Sequence, residues 1–211
     1  MNKEQVVRWS FFIGGLLILA LGIALTIKGK MFGIGPWDVF HYGLFLQLGL
    51  TIGSWSIIVG LLIISVTAIF TKKWPKMGAW LNMLLMGLFI DMFLLILPDV
   101  HSVIGQAIVF CVGLLVLGYG IGLYVSADFG AGPRDSLMLL LVEKTGWSVK
   151  WVRNAIEIVV FLFGWLLGGP VGIGTIVIAF LLGTIINYSL PQSKSFLHFC
   201  LIKWNAKTLS H

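Results

Sequence analysis

Six largely apolar runs, 9–27, 54–71, 77–97, 102–125, 152–169 and 171–190, account for most of the sequence, and each is 18 to 24 residues long. At 1.5 Å per residue, a helix of that length crosses roughly 30 Å of hydrocarbon. Only 10% of the residues are charged and 59% are hydrophobic, whereas a soluble domain carries roughly 25% charged residues. The polar surface needed to stay in water is missing, so the fold class is an all-α membrane protein. The excess of +6 charges lies between the apolar runs and not in one basic patch. It therefore reads as a topology signal, with the lipid bilayer and not nucleic acid as partner.

Two shorter apolar runs, 37–48 and 134–143, each follow a Gly-x-Gly-Pro-x-Asp stretch: Gly33-Ile34-Gly35-Pro36-Trp37-Asp38 and Gly130-Ala131-Gly132-Pro133-Arg134-Asp135, preceded by Phe32 and Phe129. A dozen helical residues span only about 18 Å, too little to cross unaided. These are expected to be short re-entrant or interfacial helices. The duplication continues beyond them: Leu21–Leu25 matches Tyr119–Leu123, Gly49–Ile52 matches Gly146–Val149, and Leu84–Asp91 matches Phe180–Asn187. The chain divides into a first repeat, 1–97, a second, 102–190, and a tail, 191–211.

The positive-inside rule sets the relation between the repeats. If the short helices do not cross and the N-terminus is cytoplasmic, 12 basic residues fall inside, among them Lys72, Lys73 and Lys207, and only Lys28 and Lys30 outside. If they cross, the split is 8 against 6. The first arrangement gives three crossings per repeat and hence a six-span inverted repeat, with both termini cytoplasmic. Inverted repeats interrupted at equivalent places point to a transporter-like fold.

Other features constrain less. The basic start and apolar core, Trp9 to Ile27, look like a signal peptide, but the core is long for one and has a counterpart later, so a retained helix is expected. Cys111 lies in an apolar run and Cys200 in the tail, so neither a disulfide nor a metal site is expected. Pro191 should end the last span, leaving an interfacial helix or a loose tail. The tryptophans near span ends, including Trp37 and Trp147, read as interfacial belts.

The duplicated hinge, the turn after each short helix and Gly168-Gly169-Pro170-Val171-Gly172-Ile173-Gly174-Thr175 resemble the YczE-type membrane proteins of the YczE/YyaS/YitT grouping. The resemblance covers nearly the whole chain to about Leu190 and implies a bacterial plasma-membrane protein, but no activity. The first repeat departs from it where the basic Thr71–Met77 loop replaces the Gly-rich turn.

The candidate site residues follow from the hinges. With Gly35 and Gly132 as N-caps, Pro36 and Pro133 open the helices and Asp38 and Asp135 complement the helix dipole, which is a complete structural account. The functional alternative is that the free N–H groups and acids face a solute or proton. His41 shares a helical face with Asp38, while Met138 holds the matching place. Arg134 stands as a cytoplasmic anchor or a contact for an anionic group. Asp91 and its mate Asn187 are polar groups within spans, either capping a neighbour or lining a pathway. Glu157 sits four residues after Arg153, as in an ion pair. No enzymatic motif or cofactor fingerprint occurs, so no enzyme activity and no cofactor are expected. The sequence favours a permease-like protein for a small solute or ion. The alternative is a non-transporting anchor for a soluble cytoplasmic partner, and the glycine faces leave a homodimer open.

Overall fold

The computed structural model describes residues 3–72, 74–130 and 132–209; Lys73, Ala131 and the last residues of the tail lie outside them. Eight α-helices make up the described chain: α1 (Lys3–Lys28), α2 (Pro36–Leu48), α3 (Ile52–Thr71), α4 (Met77–Ile96), α5 (Val103–Ser126), α6 (Pro133–Thr145), α7 (Val149–Leu166) and α8 (Ile173–Leu209). A single 3-10 turn, Lys30–Phe32, leads into the first hinge. Their starts follow local rules. Thr51 and Ser102 cap α3 and α5 by accepting the Ser54 and Gly105 N–H groups at 3.0 and 3.1 Å. Helices α2 and α6 instead open with glycine at the N-cap and proline in the first turn.

Five helices, α1, α3, α4, α5 and α8, are long and apolar enough to cross a membrane. The sixth expected span differs. Helix α7 forms three residues earlier than its apolar run and takes in Lys150 along with Arg153 and Glu157, which sets it apart from the five. The tail differs too, because α8 continues through Pro191 to Leu209 as one helix of 37 residues. Proline removes the N–H that would reach the Asn187 carbonyl, yet contacts on both sides hold the helix straight enough to continue. Ser189 Oγ donates to the Gly118 carbonyl at 2.8 Å, Tyr119 donates to Gln192 at 3.0 Å, and Phe196 lies 5.4 Å from the Phe11 ring. Tertiary packing overrides the local stop signal.

Helix α1 forms the core. Phe12, Leu16, Ala20 and Ala24, at four-residue spacing, are all 1% exposed or less. It packs along α5 and against α4, while α5 packs on α8. The helix contacts come in exchanged pairs. A Cβ on Gly22 of α1 would collide with the Leu117 backbone of α5, and one on Gly120 of α5 with the Leu19 backbone of α1. A Cβ on Gly78, at the start of α4, would strike the Phe129 carbonyl before the second hinge. One on Gly174, at the start of α8, would come 2.6 Å from the Phe32 carbonyl before the first. Helix α2 lies on α7, and α6 lies on α3. Small residues let backbones come this close where lipid offers no hydrophobic drive between helices. On the outside, Leu95, Phe180 and Ile104 are 75% exposed or more, an apolar surface suited to acyl chains.

Candidate functional site

Both hinges adopt the backbone that their sequences dictate. Gly33 and Gly130 have φ of 93° and 108°, a region closed to residues with a Cβ except under strain. Gly35 and Gly132 follow in extended conformation as N-caps. The chain thus turns sharply and starts a helix with Asp38 or Asp135 in its first turn.

The two helix starts meet at one cavity of about 830 Å³. The first hinge contributes Gly35, Pro36, Trp37 and Asp38, with His41 one turn on; the second contributes Gly132, Pro133, Arg134 and Asp135. Helix α7 adds Arg153, Asn154 and Glu157, α8 adds Asn187, and α4 adds Asn82. Met83, Met86, Leu117 and Ile121 make an apolar wall. Met138, at the position matching His41, lines the same space. Small-molecule sites occupy roughly 300–1,000 Å³, so the cavity has the size of such a site.

Asp91 lies apart from the cavity wall. Its carboxylate accepts the Gly53 N–H at 2.8 Å and the Thr51 hydroxyl, binding α4 to the start of α3. Its sequence mate Asn187 makes no such bond among the described residues and is exposed to the cavity. The glycines one turn earlier show the same contrast. A Cβ on Gly87 would come 2.5 Å from the Gly53 carbonyl, whereas one on Gly183 would meet nothing within 4 Å among the described residues. Helices α3 and α4 pack closely on each other, whereas α7 and α8 scarcely touch, and all four contribute to the cavity wall.

The charges at the site are unevenly satisfied. Arg153 donates to Glu157 at 3.2 Å, the pair its spacing suggests. Asp135 accepts from the Gly132 backbone N–H. Asp38 and His41 are only 5% and 2% exposed, yet Asp38 Oδ1 and His41 Nε2 have no hydrogen-bond partner among the described residues. The Arg134 guanidinium stacks over the Trp37 ring, 4.7 Å from its centroid. It makes no ion pair within 4.0 Å among the described residues, although it lies near enough to Asp38, Asp135 and Glu157 to feel their charge. Sequence reasoning placed Trp37 in an interfacial belt; the fold buries it, and it supports the residue that holds its matching place in the second hinge. Asn82 and Tyr124 were missed as wall residues. A lone amide within the apolar run 77–97 was the available signal for Asn82; Tyr124 gave none.

No cluster of three His, Cys, Asp or Glu able to hold a metal occurs among the described residues. What the arrangement offers is binding: a cation, buried acceptors and two helix starts around a space partly walled by apolar side chains.

The model of a family described as "Family of unknown function (DUF6198)" matches residues 6–191, which take in both hinges and every wall residue named above. The chain belongs to this family. It is 54% identical to the "Uncharacterized membrane protein YczE" of Bacillus subtilis over 98% of this chain and 96% of that one. It is 28% identical to the "Uncharacterized protein YyaS" of the same organism, over 87% of this chain and 92% of that one. An "Uncharacterized protein" of Haemophilus influenzae is 32% identical over 86% of this chain and 82% of its own length. No solved structure matches. The resemblance read from the hinges therefore holds, and this family member is a membrane protein.

Proposed function

We propose that the protein is a permease-like transporter of the bacterial plasma membrane that carries a small solute by alternating access. The observation that carries this reading is the cavity walled by both hinges, because each break in the backbone then leaves polar groups facing a solute and not lipid. Two further features support it. The exchanged glycine contacts, Gly22 on Leu117 with Gly120 on Leu19 and Gly78 on Phe129 with Gly174 on Phe32, support a two-fold relation between the halves. With six crossings, α7 among them, and cytoplasmic termini, the halves are antiparallel. The closed α3–α4 seam then lies at the outer side and the parted α7–α8 seam at the inner side, an inward-open state. Closing Gly183 and Asn187 on α7 while Asp91 leaves Gly53 would turn the cavity outward.

The test is uptake by proteoliposomes of radiolabelled amino acids, organic acids and sugars, each with and without an imposed proton gradient. Uptake of at least one of them, lost in Asp38→Asn, is expected. No uptake of any, together with a soluble protein recovered in stoichiometric amount through the cytoplasmic loops, would replace transport with the anchoring role.

A further inference from the structure

Arg134 and Asp38 carry opposite charges at the wall of one cavity, and they do not close on each other. Buried ions of opposite sign ordinarily pair, since an uncompensated buried charge costs several kcal/mol. Here Trp37 holds the guanidinium by its face, which leaves its N–H edge available, while Asp38 Oδ1 and His41 Nε2 stand buried without partners among the described residues. A neutral solute would leave Arg134 and Asp38 each without a direct ionic partner. A simple anion would satisfy Arg134 and repel Asp38, and a simple cation would do the reverse. A molecule with a carboxylate and an ammonium on neighbouring atoms satisfies both at once. Beyond the polar groups, Met83, Met86, Leu117 and Ile121 offer an apolar surface, and flexible thioethers adapt to varied aliphatic shapes.

We infer that the cavity binds a small zwitterion, an α-amino acid with an apolar side chain, its carboxylate on Arg134 and its ammonium on Asp38. His41 Nε2 supplies one more hydrogen bond to the head group, and the side chain lies along the methionines. The inference names the solute of the transporter proposed above and rests on that reading for its purpose, but binding is measured without transport.

The experiment is equilibrium binding of tritiated L-leucine to the purified full chain in detergent, with competition by 4-methylpentanoate, which keeps only the carboxylate, and by 3-methylbutylamine, which keeps only the ammonium. Leucine is expected to bind, and each single-charge analogue to compete at least tenfold more weakly. Arg134→Gln and Asp38→Asn should each weaken leucine binding at least tenfold, while Asp38→Glu should keep part of it. If either variant fails to fold, the analogue series on the unaltered protein decides. Equal competition by 4-methylpentanoate makes this an anion site, equal competition by the amine makes it a cation site, and no leucine binding leaves no zwitterion site; each overturns the inference. Uptake of a different solute would in the last case leave the transporter standing. Leucine binding without uptake of any solute would instead keep the site and remove the transporter.

Discussion

Removing the Asp91 carboxylate should release the α3–α4 seam, and the structure sets the size of the effect. Asp91 accepts two hydrogen bonds. The one from the Gly53 N–H is partly buried, and a bond to a charged acceptor is worth about 1.5–3 kcal/mol. The Thr51 bond is exposed and adds at most about 0.5–1 kcal/mol, as for exposed polar pairs in general. After allowance for water at the open end, about 2–3 kcal/mol holds the seam shut. At 1.4 kcal/mol per factor of ten, Asp91→Ala should raise the open population about 30- to 140-fold. Ile57 packs against Gly87 inside the seam, so a cysteine there reports opening. The assay is the rate at which a water-soluble maleimide modifies Ile57→Cys, with Cys111 and Cys200 replaced by serine. The rate should rise by that factor in Asp91→Ala and stay near its original value in Asp91→Glu. An unchanged rate in a folded Asp91→Ala protein would mean that the glycine packing alone holds the seam. The carboxylate would then have no part in keeping it shut.

Gly120→Ala places a methyl group on the Leu19 backbone and should cost about 1–3 kcal/mol, as for overpacked cores. Gly14→Ala meets nothing within 4 Å and should leave the thermal midpoint unchanged or higher, by about 0.5–1 kcal/mol of helix propensity. Gly183→Val should fold with an unaltered midpoint and abolish uptake by blocking closure of α8 on α7. Gly87→Val should lower folded yield, which gel filtration would show. Lys28 donates to Asp99 at 2.7 Å in the loop after α4. That bond and the ammonium charge hold the Asp99 carboxyl below its ordinary range. Its small contribution is present above the unfolded carboxyl pKa of about 3.9 and is lost as pH falls through the depressed value. The difference in thermal midpoint between the unaltered protein and Asp99→Asn should therefore vanish in strong acid; a difference that persists there would show another cause.

The hinges were legible because their rules are local. A glycine forced to positive φ, a proline in the first helical turn and an acid behind it need only neighbours in sequence, and the duplication marked them twice. The path of α8 through Pro191 was not legible, because the contacts that carry it come from Gly118, Tyr119 and Phe11 on other helices. Helix α7 was expected from its apolar run, but it starts three residues earlier and so takes in Lys150 as well. Trp37 and Arg134 occupy equivalent positions in the two repeats, and spacing says nothing about whether equivalents touch; only the folded pairing of the hinges brings ring and guanidinium together. Asp91 and Asn187 show the remaining limit. Repeat alignment makes them equals, while their surroundings differ, and nothing in a linear sequence states which of two matching seams is shut.

The unbroken α8 is about 55 Å long at 1.5 Å per residue, so roughly 25 Å of it projects past a 30 Å bilayer core. Its first half carries Gly183 and Asn187, and its second half presents Phe196, Phe199, Ile202 and Trp204, each 50% exposed or more. The helix is tied to α5 through Ser189 and Gln192 and to α1 through Phe196. In the proposed transporter, a load on that end would tilt Gly183 and Asn187, nine to twenty-one residues away along the same helix.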